Sequence, residues 1–166
     1  MQYTNKVLGV ISVINAALQE LNKPTVFENA DFTIGELNFE DYLTLRLDKK
    51  DRKDENKIYY IMNISGDGLE VHLDRIPEAF WCSHEEINKD RAKAKDFILM
   101  LLSSTVKADC YGSSYDINYT KVSFYNDKGD CVHTVDRITG LLPIFIVKRL
   151  PFKEKMYEPF YILESG

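Results

Sequence analysis

SHEEINKDRAKAKDFILMLL, residues 83–102, is the stretch whose reading decides the fold. Ser83 is suited to cap a helix, because its hydroxyl accepts from backbone N–H groups of the first turn. Glu86 stands where its carboxylate reaches back to the Ser83 N–H, which completes a capping box. Cys82 and Ile87 fall where a hydrophobic staple would sit. Glu85 and Glu86 suit the positive end of the helix dipole, and Glu85–Lys89 is spaced as an exposed i,i+4 pair. From His84 to Asp96 only Ile87, Ala92 and Ala94 are apolar, whereas every residue from Phe97 to Leu102 is. The pattern predicts one helix with an exposed first half and a buried second half, a core strut between two strand-rich halves.

Upstream, Val7, Leu8, Val10, Ile11, Ile14, Leu18 and Leu21 repeat at helical spacing, so residues 4–22 read as a first helix, stopped by Pro24. Ser12 and Asn15 interrupt its apolar run and only Lys6 precedes it, which reads as an amphipathic helix rather than a signal peptide. Thr25 to Leu37 reads as one or two short strands. Tyr42 to Leu47 alternates, with Leu43, Leu45 and Leu47 on one face, as a half-buried strand does. The mixed charges of Asp48 to Lys57 read as a solvated hairpin tip. Ile58–Ile64 and Leu69–Leu73 continue a meander through the turn Ser65-Gly66-Asp67-Gly68, whose glycines are free to take positive φ. Arg75-Ile76-Pro77 ends it, and Phe80 and Trp81 lead into the central helix.

Downstream, Thr105 to Tyr111 reads as a strand and Gly112-Ser113-Ser114 as a turn or bulge. Tyr119–Tyr125 and Asp130–Arg137 read as a hairpin with Gly129 in the left-handed position of a bulged turn. Pro143, Pro151 and Pro159 punctuate the last segment, where Ile144–Val147 and Phe160–Leu163 look strand-like. The expected fold is α+β: a single domain over residues 1–166, mostly antiparallel sheet, with an N-terminal helix and a central helix.

Composition narrows the function. The chain of 166 residues is long enough for one sizeable core and carries no linker-like tract. A net charge of −5 argues against a general nucleic-acid binder and suits a basic protein partner. No stretch approaches the roughly 20 apolar residues of a membrane span. Three cysteines without framework spacing point to reduced thiols and a cytoplasmic setting.

Two Cys-x-His pairs, Cys82–His84 and Cys131–His133, together with Cys110, are of the right types for zinc, although not at finger or ribbon spacing. Hairpin register decides part of this. With the loop Asp127-Lys128-Gly129, Cys131 and His133 share the face of Tyr125 and Ser123; with one residue more, they join Phe124 and Val122. Small buried cysteines beside ordinary histidines are the simpler reading, and no cofactor is expected. A Cys131–His133–Asp136 hydrolase is disfavoured, since side chains on one strand project in parallel and do not form the nucleophile–base bond. His72 between Glu70 and Asp74 resembles an acid–base cluster, but a solvated strand face looks the same. Gly-rich phosphate loops and nucleophile elbows are lacking.

Charge placement carries more. From Pro24 to Leu45 there is no Lys or Arg, while Glu28, Asp31, Glu36, Glu40 and Asp41 interleave with Phe27, Phe32, Phe39 and Tyr42. A second acidic, aromatic stretch runs from Asp109 and Tyr111 through Tyr115 and Asp116 to Tyr119. Aromatic anchors within one sign of charge suit a protein interface that steers a basic partner. The contact residues expected are Glu36, Glu40, Asp41 and Tyr42, followed by Asp109, Tyr111, Tyr115 and Asp116.

The segment Tyr111-Gly112-Ser113-Ser114-Tyr115, followed by KVSFYNDKGDCV at 121–132, resembles immunity proteins of bacterial toxin–immunity pairs. In several such families a Gly-Ser strand precedes a Phe/Tyr-Asn/Asp-x-x-Gly hairpin. The resemblance implies a cytoplasmic, non-catalytic protein that binds and blocks one toxin domain. Many such toxins are basic nucleases, which would suit the acidic segment. The competing readings are a dimeric secretion-chaperone-like protein and a small Cys/His hydrolase or metalloprotein.

Overall fold

The computed structural model describes residues 2–35, 39–47, 56–73, 79–113, 116–138, 143–147 and 149–163. It is an α+β fold, and among these residues there are four helices and nine strands in two antiparallel sheets. Helix α1 (Asn5–Glu20) buries Val7, Val10, Ile14 and Leu18 on one stripe, and Thr4 caps it. The first sheet is a pure meander of β1 (Phe32–Ile34), β2 (Tyr42–Leu47), β3 (Tyr60–Ser65), β4 (Gly68–Leu73) and β5 (Ala79–Ser83), in that order. Its inner face is the alternate set Leu43, Leu45, Leu47, Tyr60, Met62, Ile64, Leu69 and Val71, all nearly inaccessible to solvent.

The central stretch is not one helix. It divides into α2 (His84–Lys89) and α3 (Arg91–Ser103), with Asp90 at φ −146°, ψ 80° between them. Asp90 ends the first helix and caps the second, its Oδ1 accepting from Lys93 N at 3.0 Å. The carboxylate that looked like one more surface charge prefers the N-cap, where it satisfies an orphan N–H. The capping box at Ser83 and Glu86 forms as expected. Phe80 and Trp81 belong to β5, an edge strand that pairs with β4, rather than to a lead-in loop. Gly68 takes a positive φ of 152°, and a Cβ there would lie 2.2 Å from the Cys82 carbonyl oxygen.

The second sheet has the order β8–β7–β6–β9, from β6 (Thr105–Ser113), β7 (Asp116–Tyr125), β8 (Cys131–Ile138) and β9 (Phe152–Tyr157). Gly129 adopts the left-handed conformation expected of it, φ 82°, and a register shift falls between Tyr111 and Gly112 where a bulge was expected. Ile144–Val147 forms the short helix α4, not a strand. It starts after Pro143, whose carbonyl accepts from Ile146 N and Val147 N. Phe160 and Tyr161 form a bend, and the strand of this region is β9. The charge run at 48–55 and the segment 74–78 lie outside the described residues.

One continuous core joins the parts. Phe80 of β5 meets Phe97 of α3 edge to face at 5.8 Å and Phe124 of β7 at 5.7 Å. Tyr60 donates from its buried hydroxyl to the Leu101 carbonyl at 2.6 Å. Arg91 bonds Gly9 O and Ser12 on α1, and Lys95 pairs with Glu20, so the two long helices are tied along their exposed sides. Beyond β9, Glu158 bridges in parallel to Lys57, which stitches the second sheet to the start of β3. Phe80→Ala removes the ring that touches three elements and should cost about 3–5 kcal/mol. Urea unfolding followed by far-UV circular dichroism will read this as a fall in midpoint with unchanged slope.

Candidate binding surfaces

The outer face of the second sheet is the best-organised surface. Register aligns Phe152, Tyr111, Tyr119 and Ile138 across its four strands. Tyr111 lies 4.8 Å from the Phe152 ring and 5.6 Å from the Tyr119 ring. Phe152 and Ile138 are each 51% exposed. The next row across the same face is Glu154, Asp109, Lys121 and Asp136. Lys107, one row further, is committed to Glu154 at 2.7 Å and to Asp109 at 3.6 Å. Those contacts hold its ammonium above the ordinary lysine range, the Glu154 bond first among the causes. Tyr119 donates to Asp136 at 3.3 Å, and burial, then the Asp136 charge, pushes its phenol up. The face is thus an aromatic bar, fixed on strands and flanked by three carboxylates with Lys121 and Lys107 among them.

A second surface surrounds the entry to α1. Thr4 N donates to Glu40 O at 2.7 Å, and Tyr3 stacks on Phe27 at 6.1 Å. Glu40 and Asp41 are exposed in the turn between Phe39 and Tyr42, and Phe39 is 60% exposed. Glu28 is exposed and accepts from Thr25, whereas Asp31 is taken inward, accepting from the Tyr161 hydroxyl at 3.0 Å.

The residues singled out in the sequence therefore divide. Asp109 and Tyr111 share the outer face of β6, as their i,i+2 spacing requires. Glu40 and Asp41 sit together on the turn, but Tyr42 opens β2 among Thr44 and Arg46 on the outer face of the first sheet. Glu36 and Tyr115 lie outside the described residues, and Asp116 is described only in its backbone, as the first residue of β7. Phe152 and Ile138 were not anticipated, because only cross-strand register brings them beside Tyr111 and Tyr119 respectively.

The Cys/His set does not converge. Both register alternatives hold, one for each residue: Cys131 pairs with Tyr125 and His133 with Phe124, because a bulge intervenes. Cys131 therefore points outward, its Sγ 3.2 Å from Thr134 Oγ1, while His133 packs against Phe80, Phe97 and Phe124. Among the described residues no group of three His, Cys, Asp or Glu side chains is placed to hold a metal ion. His72 Nε2 meets Glu70 Oε2 at 2.9 Å, and Asn63 and Thr44 extend the chain across three strands. The His72 and Asn63 bonds hold the Glu70 carboxyl below its usual range. Both partners stand on an open sheet face, more than a third exposed, as in a solvated cross-strand network.

Among the described residues no helix is long and apolar enough to cross a membrane. No protein-family model matches the chain, and comparison with curated proteins finds no match either.

Burial raises the thiols of Cys82 and Cys110 above the ordinary range, with the Glu86 and Asp109 carboxylates adding to the shift, while Cys131 is exposed. The thiolate is the reactive form, so raised values slow reaction at neutral pH and release it as pH climbs. Iodoacetamide at pH 8 should label Cys131 first, with Cys82 and Cys110 lagging by roughly tenfold or more. Peptide mass spectrometry across pH 7–10 reads the order and the acceleration of the two slow sites.

Proposed function

We propose that this chain is a protein-binding module of the immunity type, which occludes a basic partner domain by docking it on the outer face of β6–β9. The observation that carries this reading is the aromatic row Phe152–Tyr111–Tyr119, held side by side by sheet register and bordered by Glu154, Asp109 and Asp136, with Lys121 between the last two. Large rings on a rigid sheet supply contact area with little entropy to lose, and the bordering carboxylates steer a cationic surface. The acidic turn at Glu40 and Asp41 adds to the same long-range field. A cytoplasmic site of action, where three unpaired cysteines persist as thiols, belongs to this reading.

The experiment uses the product of the reading frame adjoining this chain's gene, purified and immobilised for interferometry. Tyr111→Ala and Phe152→Ala should each weaken binding by about 2 kcal/mol, mainly through faster dissociation. Glu154→Lys with Asp136→Lys should slow association and flatten its dependence on salt. Unchanged binding in the ring variants, with circular dichroism unaltered, removes this face as the docking site.

A further inference from the structure

A cleft of about 500 Å³ opens where α2 and α3 part beside β5. That volume falls within the range of about 300–1,000 Å³ typical of small-ligand sites. One wall is the Trp81 indole, 56% exposed on the edge strand, and Phe97 lines the other side. Lys89 at the end of α2 and Lys93 in the first turn of α3 complete the lining with Glu86 and Asp90. The four formal charges sum to zero, and each acid is held at a helix cap through one of its oxygens. Glu86 Oε2 already accepts from Ser83 N at 2.9 Å and Ser83 Oγ at 2.7 Å, and Asp90 Oδ1 accepts from Lys93 N. Neither lysine ammonium has a hydrogen bond or ion pair with a described residue.

We propose that this cleft binds a small aromatic carboxylate, its ring against Trp81 and Phe97 and its carboxylate between Lys89 and Lys93. The cleft lies at the break at Asp90, which lines it between Lys89 and Lys93. Burying a flat ring against an exposed indole gives affinity, and the uncommitted ammonium groups give charge selection.

Trp81 is the single tryptophan of the chain, so its indole N–H gives one assigned signal in a ¹⁵N-labelled sample. Two unlabelled probes with the same ring and opposite charge, indole-3-acetate and tryptamine, are titrated against the whole chain. Indole-3-acetate should shift that signal saturably and bind about tenfold or more tighter than tryptamine. Lys89→Met with Lys93→Met, both exposed and so neutral to folding, should lower the affinity for indole-3-acetate by about tenfold. Equal or tighter binding of tryptamine overturns the proposal, since the acids would then be the recognising groups. So does a missing saturable shift with either probe at millimolar concentration, or an unchanged affinity in the double variant.

Discussion

The Phe80 side chain is the joint of this molecule. It projects from the last strand of the first sheet, and its ring meets Phe97 on α3 and Phe124 on the second sheet. His133 closes the group from the edge strand β8. Each sheet is built from consecutive strands, except that β9 returns to the open side of β6, and the Lys57–Glu158 bridge adds a backbone link between the two layers. What makes them one body is apolar contact through α3 and this ring cluster. The buried Tyr60 hydroxyl, fixed on the Leu101 carbonyl, sets the depth at which that helix lies.

The outward surfaces follow from the same placement. With both inner faces spent on one core, each sheet shows its other face to solvent, and the two faces differ in kind. On the first sheet the side chains of Thr44, Asn63, Glu70 and His72 form a polar, mutually bonded network, with Trp81 at the edge of the same face. On the second sheet the outer row is aromatic and leaves half of the Phe152 surface in water. Apolar area held open on rigid strands has a cost in the free protein that a partner relieves.

Much of this architecture was legible in the residues. Period-two alternation placed β2 residue for residue, and the capping box fixed the start of α2, because local chemistry determines both. The failures share a cause. Ala79–Ser83 does not alternate cleanly, and its strand state comes from pairing with β4. Ile144–Val147 is a short apolar run, ambiguous by period, and Pro143 decides for a helix. Strand β9 is half charged and mostly exposed, as suits an edge strand, and so carries no alternating hydrophobic signature. For the binding surfaces, same-strand neighbours such as Asp109 and Tyr111 were readable, whereas Phe152 and the Trp81 cleft depend on register and on the break at Asp90.

Tyr161 has a consequence in time as well as in space. Its hydroxyl accepts from Asn29 Nδ2 and donates to Asp31, contacts that span 132 and 130 residues of sequence, and its N–H bonds Leu102 O. The loop between α1 and β1 therefore gains its buried partner only after residue 161 has emerged from the ribosome. Until then the five-stranded meander lacks this clasp. Contacts of such sequence separation raise the contact order of the fold, which slows folding as a whole.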